Sequence, residues 1–385
     1  MEDFLIGHNE RLSSSWKTAF SRSVVRWYRR HGRSLPWRET SDPYSIWISE
    51  AMLQQTQVAT VIDYYHRFLD CFPNVESLAQ ADEQAVLQLW AGLGYYRRAR
   101  QLHAASKIIV ADFGGQFPSD VHQLQELPGI GRYTAGAIAS FAFDVSAPIL
   151  EANTVRLFSR LILLREDVQS TGAQQQLWRF ANWILPRRSG AGEVNQAVME
   201  MGSLLCKPTN PDCQQCPLNN LCLTYARGLQ SEIPISPPKR KFTTMRHVGA
   251  LIRRVHVDGQ PQYLMRRCAT GEWWQGLWDF PRVDVTELFT SAQFSHLNEQ
   301  HLATIEQHFS RLLPFALRLE QRATTIRHAV TRYRIHLESY FAHADEFSHN
   351  DDADELRWTT FDQCNNLPLT STARKIWTKT LVIDK

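Results

Sequence analysis

From Ser41 to about Leu221 the apolar residues recur three and four positions apart, as in DEQAVLQLWAGL, RRARQLHAASKIIVADF and AQQQLWRFANWIL. That is the period of helices with one buried face. The run SDPYSIWISEAMLQQTQVATVIDYYHRFL is helical too and opens with a start signal: Asp42 as cap, then Pro43 at the first helical position. The texture changes after SEIPISPPKRKFTT (231–244), where three prolines precede a basic run and predict a linker. Beyond it, HVGALIRRV and PQYLMRR flank Asp258-Gly259, a hairpin signal. IRHAVTRYRIHLESYF alternates like a strand, and LTSTARKIWTKTLV closes the chain as a short helix. The pattern therefore predicts a mostly α first part (1–228), a linker (229–244) and an α+β second part (245–385).

Composition permits this division. With 385 residues, 43% of them hydrophobic and 11% aromatic, the chain can bury two or three cores. Its formal charge of +3 names no partner, and residues 1–228 are close to neutral, so any nucleic-acid footprint must be local. MEDFLIGHNERLSSSWK is acidic early and lacks the apolar run of a secretory signal, and no run of about 18 apolar residues predicts a spanning helix. These features predict a cytoplasmic monomer. Cysteine is odd in number, seven, and four of them cluster, which points to a metal centre rather than a disulfide framework.

Three short stretches carry candidate chemistry. Cys206, Cys213, Cys216 and Cys222 form C-x6-C-x2-C-x5-C, with Pro217 after the third. Structural zinc usually arrives as two C-x2-C knuckles, so four-thiolate ligation of a [4Fe–4S] cluster fits better, with zinc as the alternative. LPGIGRYTAGAIAS places Gly129 and Gly131 around one apolar residue between two helical segments. Such a turn is either an ordinary connection or a backbone anion site able to hold a DNA phosphate. Finally, PILEANTVR sets Glu151 and Asn153 directly after the apolar FAFDVSAPIL. A carboxylate is costly to bury unless something compensates it, so its position there calls for a reason.

In order along the chain, LPWR, PY-x-IW-x-SE-x-MLQQTQV, WAGLGYYRRARQLH, LPGIGRYTAGAI, NQAVMEMG and the cysteine cluster resemble the MutY-type adenine DNA glycosylases of the helix-hairpin-helix superfamily. The resemblance is dense over residues 34–225 and weaker afterwards, where WWQGLWDFP looks like the start of a Nudix-like domain. It implies a six-helix barrel with an iron–sulfur loop at 206–222, followed by a Nudix-like domain. The implied activity is hydrolysis of the bond to adenine mispaired with 8-oxoguanine or guanine in double-stranded DNA, in a nucleoid-associated setting.

The roles it implies are these. Glu50 is the general acid toward adenine N7, where the local sequence alone would allow a structural Glu. Glu151 replaces the family's aspartate, Ala152 its glycine, and the carboxylate stabilises the sugar cation with Asn153 orienting it or holding a phosphate. Trp37, Arg38 and Gln196 line the adenine pocket, although Trp37 would serve equally as core. Gln54, Gln55 and Tyr95 enter the DNA helix, and the arginines beside Tyr95 bind DNA or form a solvated face. Tyr133 stands where related lyases carry a Schiff-base lysine, so strand cleavage is not expected. Val330-Thr331-Arg332 aligns with the family's Phe-Ser-His lesion-recognition loop, with Thr331 keeping the hydroxyl. No Nudix magnesium-binding helix follows WWQGLWDFP, so diphosphate hydrolysis is not expected. The competing readings are a bifunctional glycosylase/lyase of endonuclease III type and a lesion-binding protein weakened by the Glu151 change.

Overall fold

The computed structural model describes residues 3–6, 10–237, 241–256, 258–344 and 355–381. Residues 238–240, where the expected linker turns basic, lie outside the described residues. The chain divides into two compact units: Met1–Gln80 with Gln101–Pro238, and Ala81–Arg100 with Lys239–Lys385. The second unit thus takes in a segment that the hydrophobic pattern groups with the first part, and the first unit runs past residue 228.

Among the described residues twelve α-helices precede the linker: α1 (Ser14–His31), α2 (Pro43–Leu53), α3 (Val58–Cys71), α4 (Val75–Gln80), α5 (Glu83–Trp90), α6 (Arg97–Phe113), α7 (Val121–Glu126), α8 (Arg132–Phe143), α9 (Ala152–Leu161), α10 (Thr171–Ile184), α11 (Ala191–Leu204) and α12 (Leu223–Ala226). Of these, α5 belongs to the second unit. Side-chain oxygens start several of them. Asp42 accepts from Tyr44 N and Ser45 N ahead of Pro43, and Asp120 accepts from His122 N and Gln123 N. The expected helical run from Ser41 is broken in two, because Gln55 takes φ 60° between α2 and α3. A small antiparallel pair, β1 (Phe4–Ile6) with β2 (Glu10–Leu12), precedes α1. One apolar stripe each from α1 (Phe20, Val24), α9 (Leu157, Phe158), α10 (Leu177, Phe180) and α11 (Val194, Val198, Met201) meet in a common core. Each such side chain contributes about 1.5–3 kcal/mol on burial. Among the described residues no helix is long and apolar enough to cross a membrane.

The second unit is built on a mixed sheet of β3 (Thr243–Val255), β4 (Pro261–Arg267), β5 (Trp278–Asp279), β6 (Arg282–Asp284), β7 (Leu317–Val330), β8 (Tyr333–Ala344) and β9 (Leu356–Thr359). The main path runs β5-β4-β3-β8-β7, with β6 on β3 and β9 on β4. Among the described strand pairs of this sheet, β3 with β8 is the parallel one and the others are antiparallel. The Asp258-Gly259 hairpin joins β3 to β4, with Gly259 at φ 83°. The alternating run IRHAVTRYRIHLESYF is not one strand but the turn and flanks of the β7–β8 hairpin, Thr331 lying at the tip with φ 51°. Alternation continues through such a tip, so the pattern alone does not reveal the reversal. Side chains of β3 alternate between two cores: Val248, Ala250 and Ile252 face α14 (Glu299–Phe309), whereas Leu251 packs with Ile376 and Trp377 of the final helical segment.

Candidate active site

A cavity of about 440 Å³ opens in the first unit, lined by side chains from the turn before α2, from α2 itself, and from α8, α9 and α11. That volume lies in the range of small-molecule sites, about 300–1,000 Å³. Glu50, Glu151, Tyr133, Asn153, Trp37, Arg38, Gln54, Gln55 and Gln196 all line it, so nine sequence-nominated residues share one site. Glu50 lies on α2, whose residues from Ile46 to Met52 are buried, and is itself only 3% exposed. The Tyr133 hydroxyl, from the first turn of α8, donates to Glu50 Oε2 at 2.7 Å. Burial raises the Glu50 carboxyl to about 7; the charge of Glu151 adds to the rise, and the Tyr133 hydrogen bond and Arg38 oppose it. Tyr133 is pushed well above its ordinary value, first by burial and then by the two carboxylates, so it stays a neutral donor.

Glu151 sits where it does partly because it caps a helix. Its Oε1 accepts from Thr154 N at 2.9 Å, and its Oε2 accepts from Asn153 N at 2.8 Å and Asn153 Nδ2 at 3.1 Å. Thr154 answers by accepting from Glu151 N at 2.8 Å, completing a capping box. Burial raises its carboxyl, and these amide donors partly offset that. Three donors leave roughly one of about four acceptor positions for the cavity. Asn153 Oδ1 accepts from Arg156 Nη2 at 2.8 Å, and the same guanidinium donates to Gly202 O and Cys206 O. Gly202 has to be glycine: a Cβ there would stand 2.8 Å from Asn153 Cβ.

The wall opposite is held by residues with no local sequence signal. Glu200, on α11, accepts from Arg33 and from Arg38 Nη2, the latter at 2.8 Å. Burial alone would raise the Glu200 carboxyl, but the two arginines prevail and hold it at about 2. Arg38 is thereby committed to an ion pair and shapes the wall as a held cation. Gln196 Oε1 accepts from Tyr28 OH at 2.6 Å, which fixes its amide. Trp37, 6% exposed, packs edge-on against Tyr65 and also lines the cavity, so its core and pocket roles coincide. Gln54 reaches Thr134 Oγ1 only at 3.5 Å.

Other nominated residues lie elsewhere. Gly129 holds φ 79° in the turn from α7 to α8, and a Cβ there would come 2.8 Å from Gln101 Cβ. Gly131 is extended, caps α8 without a side-chain hydrogen bond, and would meet nothing within 4 Å if substituted. The amides of the first turn of α8 are thus left uncovered by any capping side chain. Tyr95 and Thr331 belong to the second unit. Tyr95 is 48% exposed at φ 47°, a left-handed conformation rare for a large residue. Thr331 stands beside Tyr333, which packs against the exposed Trp273 at 5.2 Å, an aromatic flank the sequence reading did not include.

Cys206, Cys213, Cys216 and Cys222 surround a small cavity together with Leu157, Leu161 and Leu218. They are spread around it: among the described residues no three His, Cys, Asp or Glu side chains gather on a single-ion position. Burial pushes Cys216 up to about 12 and Cys222 up to about 11, and neighbouring thiols add to both. Four such thiolates require compensating positive charge, which a polynuclear iron centre supplies. Arg160 secures the loop, donating to Cys206 Sγ at 3.3 Å and to the carbonyls of Lys207, Pro208, Gln230 and Ile233. The donor set fits an iron–sulfur cluster.

Comparisons with known proteins agree with this layout. The family model of HhH-GPD superfamily base excision DNA repair proteins matches residues 48–182, the iron–sulfur binding domain of endonuclease III matches 206–222, and the NUDIX domain matches 254–379. The cofactor is a [4Fe–4S] cluster. An adenine DNA glycosylase of Buchnera aphidicola subsp. Schizaphis graminum is 37% identical over 266 residues, 69% of this chain and 75% of the relative. The mouse adenine DNA glycosylase is 42% identical over 230 residues, 57% of this chain, and the match spans only 44% of the mouse protein's length. A thermostable thymine-DNA glycosylase structure superposes with a TM-score of 0.51 at 26% identity, covering 55% of this chain and 98% of that one. With a helix-hairpin-helix first unit, an iron–sulfur segment and a Nudix-type second unit, the chain belongs to the adenine DNA glycosylase family.

Proposed function

We propose that this chain is a monofunctional adenine DNA glycosylase, acting as a monomer on double-stranded DNA that carries adenine opposite 8-oxoguanine or guanine. The observation that carries the reading is the buried Glu50 hydrogen-bonded to Tyr133, sharing one purine-sized cavity with Glu151. A base must leave the stack to enter such a cavity. Glu50, with a carboxyl near 7, holds a proton to give at neutral pH. That proton passes to adenine N7 as the C1′–N9 bond breaks and its electron pair leaves with the base. The Glu151 carboxylate faces the resulting sugar cation, where exclusion of water strengthens charge stabilisation. Water then adds to C1′, gives up its proton to a carboxylate, and leaves an abasic site and free adenine.

Gln196, fixed by Tyr28, offers its amide to an edge of the base, and Gln54 and Gln55 line the entrance. Tyr133 has no amine with which to form a Schiff base, which supports hydrolysis without strand cleavage. Cys206, Cys213, Cys216 and Cys222 hold the cluster, which ties the segment together and contributes no electrons to a hydrolysis. Thr331, at the β7–β8 tip, faces the base opposite the adenine, Tyr95 enters the helix, and the uncovered amides after Gly131 hold a phosphate. The test is a duplex with one adenine:8-oxoguanine pair, assayed for breaks with and without hot alkali. Breaks at the adenine only after alkali are expected. Breaks without alkali would indicate a lyase, and none at all would overturn the reading.

A further inference from the structure

The last helix, α16 (Ser371–Ile376, numbered after α13 at Ser291–Ser295, α14 and α15 at Phe361–Cys364), runs on into a π-helical turn, Trp377–Leu381. Its inward face is settled by burial of Ala373, Ile376 and Trp377, and this turns Arg374, Lys375 and Lys379 into solvent. The three cations line a cleft of about 390 Å³ together with Ser371, Thr378 and Gly92. Every ionisable side chain on that cleft is positive, and none of the three cations forms an ion pair with another described residue. Lys375 and Lys379 stand four apart on one face, a like-charge pair that costs a helix about 0.2–0.5 kcal/mol. Among the described residues no ion pair offsets that cost.

Gly92, on the other wall, begins the loop that carries Tyr95. This loop runs through three left-handed residues, Gly92 (φ 108°), Gly94 (φ 73°) and Tyr95 (φ 47°), and ends by leaving the Tyr95 ring exposed. A left-handed aromatic held in water is a conformation the chain keeps at a cost of about 1–3 kcal/mol. Arg97, two positions further on, is exposed as well. Gly92 of the cationic cleft and the exposed Tyr95 thus belong to one short loop of one unit, and cations with an exposed ring are the combination that tracks a nucleic-acid backbone while the ring meets the bases.

We infer that the cleft formed by Arg374, Lys375 and Lys379 with Gly92 binds a phosphodiester stretch of the DNA duplex. The inference rests on DNA being the substrate, and it assigns to the final helix a sequence-independent grip. Its cations point outward, so replacing them leaves the core intact.

The test uses the full, cluster-loaded chain and its R374A/K375A/K379A variant, with duplex binding titrated over a range of salt concentrations. Removing up to three phosphate contacts lowers the slope of log K against log salt by about 2 to 3, near 0.9 per contact. Affinity at roughly 0.1 M salt falls on the order of 100-fold or more, equally for mismatched and fully paired duplexes, while base release from saturated complex keeps its rate. An unchanged slope overturns the inference, and so does a loss confined to mismatched duplexes. Thermal melting checks the fold; should the triple variant melt early, Arg374→Gln and Lys379→Gln singly are each expected to lower the slope by about 1. Wild-type base release in the same preparation reports on the catalytic reading separately, so the two can fail independently.

Discussion

Glu50 is held in a state that serves the proposed proton transfer and strains the fold, and its pH dependence separates the two. Its carboxyl is raised from 4.5 to about 7 by burial. The folded chain therefore binds this proton more tightly than the unfolded chain does. The stability that proton contributes is full below about pH 4.5 and is lost as pH rises through about 7. Glu50→Gln removes the buried charge, so the variant should gain on the parent by up to about 3 kcal/mol between pH 4.5 and 8.5. Base release should fall by roughly 100-fold or more. Melting both proteins across that range is the check, and a gap that does not widen with pH contradicts the burial argument. Glu151→Gln should behave differently. It places an amide NH₂ or a lone carbonyl against the N–H groups of Asn153 and Thr154, costing about 1 kcal/mol of capping. Base release should nearly vanish while the variant still retains duplex in a filter-binding assay. Both carboxylates were legible because each interrupts an apolar run. Arg33, Glu200 and Tyr28 were not, since their pairings join residues more than 160 positions apart and leave no local trace.

At the scale of elements, the two glycines of the α7–α8 turn make opposite demands. Gly129 needs φ 79° and has Gln101 Cβ where its own Cβ would go, so Gly129→Ala should cost about 1–3 kcal/mol in urea unfolding. Gly131 is extended with open space around it, so Gly131→Ala should leave stability within about 0.5 kcal/mol. Its methyl would sit over the uncovered amides of α8, and duplex affinity should drop although the fold does not change. Comparable affinity for Gly131→Ala and the parent would remove the phosphate role from that turn. The same contrast shows why helices were easier to read than their junctions. Apolar period, Asp42 and Pro43 marked the start of α2, yet its end at Leu53 depends on a left-handed Gln55 that no local residue type announces. The β7–β8 reversal was hidden similarly, because its tip carries Thr331 rather than glycine.

For the first unit as a whole, the cluster loop and the Glu151 carboxylate are parts of one hydrogen-bonded chain. Arg156 donates to Cys206 O and to Asn153 Oδ1, and Asn153 in turn donates to Glu151. Arg160, one turn along α9, ties Cys206 Sγ to four carbonyls, two just after Cys206 (Lys207, Pro208) and two beyond Cys222 (Gln230, Ile233). Releasing the cluster leaves four thiols in one cavity, where burial disfavours the charge of Cys213, Cys216 and Cys222, with the two arginines losing ordered partners. Removing one partner from a buried charged network costs about 3–5 kcal/mol. Cys222→Ser should therefore lose the visible absorbance of the cluster and several kcal/mol of stability together. Arg156→Gln leaves all four cysteines in place but removes the guanidinium that joins Cys206 O and Gly202 O to Asn153, so it separates cluster ligation from site geometry. In that variant absorbance should persist and duplex binding should change little, while the single-turnover rate falls by about ten-fold or more, as expected when a carboxylate is displaced by a fraction of an ångström. A rate equal to the parent's, with the cluster intact, would show that Asn153 and the capping amides hold Glu151 without help from the cysteine loop.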